Sequence, residues 1–203
     1  MKRNISYGKI KERIENSESN TIFITSDFID IASVYAANGA LRRLTKDGAI
    51  DQIMRGVYNK PKYNKKLNRR IPPSPNDIAK AISRNYGWTI IPSGNTALNI
   101  LGLSTQVPAQ WEYVSDGPYK NYNIDDKTSI RFKHTANKEI TKLSYDTALL
   151  IQALKALGKD NIDNKVIRKI SEEISETKKA AILKEAQYTT SWIYEVIRGI
   201  CNE

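Results

Sequence analysis

The sequence predicts an α+β fold, with an N-terminal winged helix-turn-helix followed by a mixed α/β domain that ends in a helical region. Three observations lead to this prediction. Apolar residues recur at helical spacing up to residue 46, a short hairpin pattern follows, and a proline-rich stretch at residues 72–75 precedes a second set of strand and helix patterns. The 203 residues are enough for two small domains.

The first three elements are predicted from apolar spacing and capping residues. An amphipathic helix is predicted over about residues 3–17, where isoleucines lie among lysine and glutamate. Residues 21–24 predict a short strand, and Ser26 or Asp27 can cap a short helix after it. The isoleucines of the first helix are Ile5, Ile10 and Ile14, and the apolar residues of the short helix are Phe28, Ile29 and Ile31.

A longer helix is predicted from Ser33 to Lys46. Its apolar residues recur at steps of three and four and predict one buried stripe, formed by Val34, Ala37, Leu41 and Leu44. Gly48 follows the helix end, where a left-handed conformation costs glycine little. Two short strands are then predicted to join at Arg55-Gly56, because glycine accepts the positive φ of many hairpin turns. This order of elements predicts the winged helix-turn-helix.

The opposite face of the longer helix carries side chains that suit DNA. They form one strip at steps of three or four residues, Tyr35, Asn38, Arg42 and Lys46, with Gly39 and Arg43 beside it. Arginine can bond guanine and asparagine adenine in the major groove, and each good pair discriminates by about 1–3 kcal/mol. Arg43, Lys46 and Arg55 are better placed for phosphates. A polar face is also normal on a surface helix, but the hairpin and the basic residues after it favour the DNA interpretation.

The positive charge is concentrated in the N-terminal part of the chain. The net charge is +10, and residues 1–75 contain fifteen lysines and arginines against seven acids, which leaves +2 for the remainder. Residues 60–70 contain six basic residues and no acid. Such a run is commonly a solvated linker. Beside the predicted hairpin we expect it to contact DNA through four lysines, Lys60, Lys62, Lys65 and Lys66.

Three segments carry a resemblance to a known family. They are "GALRRLTKDGAIDQIMRGVYNKP", "IPSGNTALNILGLSTQVPAQWEYVSDGP" and "IRFKHT". Over about residues 5–140 the chain resembles the AbiEi-type antitoxins of abortive-infection toxin-antitoxin systems. The resemblance implies that a winged helix binds double-stranded DNA at inverted repeats in the operon's own promoter. It also implies that the remaining domain opposes a nucleotidyltransferase-like toxin, without implying a direct complex.

Prolines predict the boundary between the two domains. Pro72, Pro73 and Pro75 stiffen the chain and exclude a continuing helix. We therefore predict a DNA-binding domain over residues 1–70 and an α+β antitoxin-type domain over residues 76–203. The second domain is predicted to contain helices near 76–85 and 96–101, strands near 87–92, 111–115 and 129–134, and helices from Ser144 onward.

Residues suited to catalysis are scarce, and we predict no enzyme activity, no metal and no cofactor. His134 is the only histidine and is predicted at a strand end rather than in a catalytic triad. The segment "PSGNTALN" lacks the Gly-x4-Gly-Lys-Ser/Thr phosphate loop and is predicted to cap a helix. A nuclease needs carboxylates on neighbouring strands to hold Mg²⁺. Asp116 offers one, but Arg131 stands where the second acid should be.

Together these observations predict a two-domain cytoplasmic repressor that also acts as an antitoxin, with no membrane partner. The charged N-terminus does not resemble a signal peptide, no run approaches the ~20 apolar residues of a membrane span, and Cys201 has no second cysteine to pair with. Two alternatives stay open. One is a metal-dependent nuclease or nucleotide-handling enzyme with a DNA-binding front end, and the other is a stand-alone transcriptional regulator. A neighbouring nucleotidyltransferase gene would favour the antitoxin, and metal-dependent DNA cleavage would favour the enzyme.

Overall fold

The chain is a mixed α+β protein that divides into two compact units, Met1–Gly87 and Trp88–Glu203. The structure is a computed structural model, and it describes residues 2–136, 140 and 142–202. The coarse α+β prediction is confirmed. Within the described ranges, no helix is both long and apolar enough to cross a membrane.

The first unit begins with a helix, a strand and a second helix, and it continues with two hairpins and a third helix. Its elements are α1 (Lys2–Glu15), β1 (Ile22–Ile24), a 3-10 turn (Thr25–Phe28), α2 (Val34–Lys46), β2 (Asp51–Met54), β3 (Val57–Asn59), β4 (Lys62–Asn64), β5 (Arg69–Ile71) and α3 (Pro75–Tyr86).

The core of the first unit lies between α1, α2 and a small sheet. Its buried side chains are Ile10, Ile14, Phe23, Phe28, Ala37, Ala40, Leu41, Leu44, Ile50 and Tyr58. The predicted stripe of α2 is confirmed at Ala37, Leu41 and Leu44. The prediction was wrong for Val34, which is 59% exposed. Val34 is the first residue of the helix, directly after the N-cap Ser33. The fourth buried residue of the stripe is Ala40.

The predicted short helix before α2 is a single 3-10 turn. The prediction that Ser26 or Asp27 is the N-cap was wrong, because the N-cap is Ile24 and both residues lie within the turn. Asp27 instead accepts a hydrogen bond from the backbone N–H of Ile24 at 2.8 Å. The amides of Ile31 and Ala32 both bond the carbonyl of Phe28, which closes the turn before Ser33 starts α2. Phe28 is fully buried, but Ile29 is 62% exposed and does not join the core.

The strand β1 before α2 and the strands β2 and β3 after it form a three-stranded antiparallel sheet with the order β1-β3-β2. Arg55 and Gly56 form the two-residue turn between β2 and β3, as predicted, and Gly56 has φ +82°. Gly48 after α2 has φ +73°, which fits the predicted left-handed position.

Residues 62–71 form a second β-hairpin, β4–β5, rather than a solvated linker. The hairpin is a two-stranded antiparallel sheet of its own. The sequence did not predict this hairpin, because its lysines and arginines do not alternate with apolar residues. The turn is set by Asn64 and Asn68, which are residues suited to turns and to positive φ.

The two compact units divide after α3, whereas the sequence placed the boundary between residues 70 and 76. Ser74 caps α3 by accepting from the Asn76 N–H at 3.2 Å, so the prolines do precede a helix as predicted. At the other end, Arg84 donates to Asp27 at 3.0 Å and to the carbonyl of Ile22 at 3.3 Å. These contacts attach α3 to β1 and the 3-10 turn, so the helix belongs to the first unit.

The second unit begins with a four-stranded mixed sheet. Its elements are β6 (Ile90–Pro92), α4 (Gly94–Ile100), β7 (Gln110–Ser115), β8 (Lys120–Asn123) and β9 (Ser129–His134), in the sheet order β6-β7-β9-β8. β7 and β9 are parallel and the other pairs are antiparallel. The predicted strands and short helix are confirmed within a few residues. β8 was not predicted, because "KNYN" contains no apolar alternation.

Four helices complete the second unit, α5 (Tyr145–Leu157), α6 (Asn164–Glu173), α7 (Glu176–Ala186) and α8 (Ser191–Asn202). Their apolar faces meet in one cluster that includes Leu150, Leu154, Ile170, Ile182 and Ile197. The helical prediction for this region is confirmed.

Candidate nucleic-acid interface

The exposed face of α2 carries an aromatic and two basic side chains, at spacings of seven and four residues. Tyr35 is 80% exposed, and Arg42 and Lys46 are also exposed. Ser33 positions the helix start, since its side chain accepts from the Ala36 N–H at 3.4 Å. The buried face fixes the rotation of α2, so these three side chains point away from the core.

Arg42 and Lys46 are uncompensated cations. Neither side chain makes a hydrogen bond or ion pair with any residue in the part of the chain that the structure describes. An unpaired guanidinium and ammonium four residues apart on one helix face repel each other. Such a pair is suited to an anionic partner, because a phosphate or a base edge supplies the missing acceptors.

Asn38 does not project freely from this strip. Its side-chain oxygen accepts a hydrogen bond from the Thr25 hydroxyl at 2.6 Å, and the residue is half-buried. A bidentate pair with adenine needs both the oxygen and the amide nitrogen of asparagine. The contact with Thr25 uses one acceptor position of that oxygen and ties α2 to the preceding 3-10 turn.

Arg43 lies beside the strip but turns back toward α1. Its guanidinium carbon stands 4.3 Å from the centroid of the Tyr7 ring, and its Nε lies 3.8 Å from an oxygen of Asp47. The Tyr7 hydroxyl also donates to Asp47 at 3.2 Å. Arg43 is therefore engaged within the protein and is a weaker candidate for a phosphate contact than the sequence suggested.

Arg13 and Asp30 hold the segment that leads into α2. The guanidinium of Arg13 donates to both carboxylate oxygens of Asp30, at 2.9 and 2.6 Å, and to the carbonyl of Asp27 at 2.8 Å. The hydrogen bond to Asp30 raises the pKa of Arg13, and the same bond lowers the pKa of Asp30. Both groups therefore stay charged, and the entry to α2 is tied to α1.

Arg55 occupies the turn of the first hairpin, as predicted. It is exposed, and its side chain contacts no acid among the described residues. Gly56 beside it has no Cβ to crowd an approaching surface, and open space surrounds the position a Cβ would take. The tip of this hairpin is thus a cationic, sterically open point.

Lys60, one of the four predicted lysine contacts, is engaged within the first unit. Its ammonium donates to the carbonyl of Glu15 at 2.6 Å and to that of Ser17 at 2.7 Å. These are carbonyls at the end of α1, where a cation is favourable. Lys60 is half-buried in this position, and its ammonium bonds the backbone at the end of α1.

The second hairpin displays the other three predicted lysines, Lys62, Lys65 and Lys66, and all three are exposed. Sequence reasoning missed Arg69, which lies opposite Asn64 on β5 and is exposed as well. Arg69 stands in the same basic run, and a hairpin prediction would have placed it on the face that carries Lys62.

The difference in net charge between the two parts of the chain is larger when the chain is divided after residue 87 than when it is divided after residue 75. Residues 1–87 contain seventeen lysines and arginines against eight acids, which gives +9, and residues 88–203 retain +1. A domain with a large positive excess attracts polyanions over a long range. This excess belongs to the unit that carries α2 and both hairpins.

In the second unit, the residues considered above for catalysis bond other residues of the protein. Asp116 accepts from the Thr89 N–H at 2.9 Å, and His134 ends β9 as predicted and donates from Nδ1 to the Gly117 carbonyl at 3.0 Å. Arg131 lies 3.6 Å from Glu112, which also pairs with Lys133 at 3.0 Å. Among the described residues, no three His, Cys, Asp or Glu side chains are grouped so that they could hold a metal ion.

Comparison with known proteins identifies a family but no activity. Residues 9–182 match a family described as "Family of unknown function (DUF6088)". No curated protein matches the chain. A solved structure, the crystal structure of RV2827C protein from Mycobacterium tuberculosis, is similar over 99% of this chain and 76% of its own, with 11% identity and a TM-score of 0.44.

Proposed function

The chain belongs to the DUF6088 family, whose function is unknown, and we propose that it is a DNA-binding transcriptional repressor of its own operon. In this proposal the first unit is a winged helix-turn-helix, with α2 as the recognition helix and the β2–β3 hairpin as the wing. The second unit acts as the antitoxin domain. The protein has no enzyme activity in this account.

The observation that carries the proposal is the uncompensated positive charge on α2. Arg42 and Lys46 are exposed on one face and have no acidic partner among the described residues, while the opposite face is anchored by Leu41 and Leu44. A helix held this firmly presents its cations at fixed positions, which is what base readout in the major groove requires. Asn38 and Thr25 fix α2 to the 3-10 turn, which takes the place of the first helix of the pair.

The retained contacts divide into two roles. Arg42 lies at the centre of the exposed face and is assigned to a guanine, because arginine can donate to both acceptors of that base. Lys46 at the helix end and Arg55 at the wing tip are assigned to phosphates. Tyr35 at the helix start packs against the sugar-phosphate backbone or a thymine methyl group. The second hairpin adds Lys62, Lys65, Lys66 and Arg69 to the phosphate contacts.

The antitoxin part rests on the resemblance to AbiEi-type antitoxins, which spans both units. The second unit has a near-neutral charge of +1, its own sheet and its own helical core. A near-neutral unit is not suited to compete for DNA, so a separate task for it is consistent with the charge division. We propose that it opposes a nucleotidyltransferase-like toxin, and no direct complex with that toxin is part of the proposal.

The experiment pairs DNA binding with repression. Purified protein is titrated by fluorescence anisotropy into a duplex from its own upstream region and into a shuffled duplex, and a reporter driven by the same region is measured in cells. Lys80→Gln is the matched control, because Lys80 is an exposed lysine of the first unit outside the proposed contacts. The proposal expects preference for the native duplex and repression in wild type and control alike. Equal binding to both duplexes with no repression would overturn it.

A growth assay tests the antitoxin role separately. The neighbouring toxin gene is expressed from a foreign promoter, so that repression of its natural promoter cannot account for rescue. The full chain and an Arg42→Ala variant should both restore growth if the second unit opposes the toxin. If neither chain restores growth, the antitoxin role is contradicted and only the repressor role of the proposal stands.

A further inference from the structure

A cavity of about 930 Å³ lies among the helices of the second unit. It is lined by residues of α5 and of the segment before it, and by the end of α7, the following turn and the start of α8. Cavities of roughly 300–1,000 Å³ between packed helices commonly hold small molecules. The volume is therefore sufficient for an organic ligand, and the lining residues decide the chemistry of that ligand.

The floor of the cavity is aliphatic. It consists of Ile151 on α5 and Ile193 on α8, which are 5% and 1% exposed, and of Leu143, which packs against the same core cluster. Core packing holds these side chains in place. A ligand that covers them removes apolar surface from water, so the floor favours an apolar ligand group.

The rim of the cavity is cationic. It carries three exposed lysines, Lys142, Lys155 and Lys184. Glu185 is the one acid among the described lining residues, and its carboxylate accepts from the N–H and the hydroxyl of Ser144 at 2.9 and 2.8 Å. These bonds direct the carboxylate to the start of α5. Three lysines and one glutamate give the lining a formal charge of +2, which favours an anionic ligand group.

The types of side chain narrow the ligand further. Tyr188 is the one aromatic residue among the described lining residues, and at 88% exposure it lies at the mouth of the cavity rather than in the floor. An aliphatic floor suits a carbon chain better than a stacked base. Lysine acts as a point charge and lacks the planar fork of arginine, so the rim can accept either a carboxylate or a phosphate.

We propose that this cavity binds an amphiphilic organic anion, an aliphatic chain that ends in a carboxylate or phosphate head group. The chain lies on Leu143, Ile151 and Ile193, and the head group lies among the lysines of the rim. The chain or the head group alone makes only half of these interactions. The site belongs to the second unit and goes beyond the proposed function, because it depends on neither DNA binding nor the antitoxin role.

Isothermal titration calorimetry on the full-length protein tests both halves of the ligand. Octanoate and octyl phosphate carry the chain and a charged head group, octanol carries the chain alone, and acetate and inorganic phosphate carry the charge alone. All are used below the concentrations at which they form micelles. At least one of the two amphiphilic anions should bind at one site, and the three partial ligands should bind at least about tenfold more weakly. The stronger of the two anions identifies the head group.

A variant that fills the cavity locates the binding site. Ala181 lines the cavity and is exposed on α7, so Ala181→Phe places a ring in the cavity without replacing a core residue. The variant should bind the amphiphilic anion at least about tenfold more weakly, because the ring and the chain would clash. Ala180→Phe is the matched control, since Ala180 is exposed on the same helix and lies outside the lining, and it should bind like wild type.

A charge variant tests the rim independently of the floor. Lys184→Gln should weaken binding of the amphiphilic anion by roughly 2–5-fold, the effect of one exposed charge pair, and leave binding of octanol unchanged. Lys165→Gln is the matched control, because Lys165 is an exposed lysine on α6 outside the lining. Circular dichroism checks that each variant is folded, and Lys184→Gln keeps the test decisive if Ala181→Phe is not.

Three results would overturn the proposal. The first is that neither amphiphilic anion binds wild type more tightly than octanol does. The second is that a folded Ala181→Phe binds the anion as tightly as Ala180→Phe. The third is that Lys184→Gln binds it as tightly as Lys165→Gln. None of these results bears on repression or growth rescue, so the cavity and the proposed function stand or fall separately.

Discussion

The guanidinium carbon of Arg43 lies 4.3 Å from the centroid of the Tyr7 ring, so the end of α2 is stacked on α1. Arg43, which the sequence predicts to contact a DNA phosphate, links two helices of the first unit through this contact. Asp47 joins the contact from the other side, since it accepts from the Tyr7 hydroxyl and lies 3.8 Å from Arg43.

A double-mutant cycle on Tyr7 and Arg43 should detect this link. Tyr7→Leu and Arg43→Gln are expected to couple by about 0.5–1 kcal/mol, the range of an exposed cation–π contact. Tyr7→Phe is the control, because it keeps the ring and removes only the hydroxyl bond to Asp47. Amide hydrogen exchange of α1 and α2 measures the unfolding free energies. Additive effects of Tyr7→Leu and Arg43→Gln would show that the stacked geometry contributes nothing.

The corrected stripe of α2 predicts very different costs for two apolar truncations. Leu41 is fully buried, so Leu41→Ala should lower the free energy of unfolding by about 2–5 kcal/mol. Val34 is 59% exposed, and Val34→Ala should change it by no more than about 0.5 kcal/mol. The amides of α2 again report the unfolding of this unit, because all three tryptophans lie at residue 88 or beyond. A large loss in Val34→Ala would mean that α2 is rotated from the position described.

Periodic apolar patterns made much of the fold predictable. The helices α2 and α5–α8 follow from apolar residues at helical spacing, α1 follows from isoleucines at roughly that spacing, and the β2–β3 turn follows from Arg55-Gly56. These features depend on neighbours a few residues apart. A single sequence contains that information directly.

The missed features depend on contacts between distant residues or on turn chemistry. Lys60 bonds carbonyls at Glu15 and Ser17, more than forty positions away, and no local pattern distinguishes it from the other lysines. Arg84 similarly ties α3 to Asp27 across the proline-rich stretch. The β4–β5 hairpin has polar strands, so only its turn asparagines, Asn64 and Asn68, could have indicated it.

The position of α3 predicts where the first unit can be cut. A fragment of residues 1–87 should unfold cooperatively, because it retains the Arg84–Asp27 contact and the buried residues Ile78 and Ile82. A fragment of residues 1–70 loses them and should be markedly less stable. Thermal unfolding followed by circular dichroism compares the two. Arg84→Gln in the longer fragment is the intermediate case. Equal melting temperatures for both fragments would show that the first unit is stable without α3, and would favour the domain boundary that the sequence predicts between residues 70 and 76.

Glu185 predicts a pH dependence in the second unit. Its carboxylate accepts from the Ser144 N–H at 2.9 Å and from the Ser144 hydroxyl at 2.8 Å, at the start of α5. Partial burial raises the pKa of Glu185, but hydrogen bonds from Thr147 and Ser144 outweigh it and leave the pKa below its ordinary value. The stabilisation is therefore present above the unfolded-state pKa and is lost as pH falls through the lower folded-state pKa.

Urea unfolding followed by tryptophan fluorescence reports this unit, since it contains Trp88, Trp111 and Trp192. Glu185→Gln should lower the unfolding midpoint at neutral pH and approach wild type in acid. Glu195→Gln serves as the control, because Glu195 is an exposed acid on α8 that pairs only with Arg198 at 2.6 Å among the described residues. A deficit of Glu185→Gln that stays constant across the acid range would refute the assignment.

The central claim is that Arg42 on α2 reads sequence while Arg55 on the wing holds the backbone, and one set of binding constants tests it most directly. Affinities of full-length wild type, Arg42→Ala and Arg55→Ala are measured for the upstream duplex and its shuffled counterpart over a range of salt. Arg42→Ala should lose about 1–3 kcal/mol on the upstream duplex and less on the shuffled one. Arg55→Ala should weaken both equally and reduce the salt slope by about 0.9. Equal losses on both duplexes in Arg42→Ala would contradict the claim.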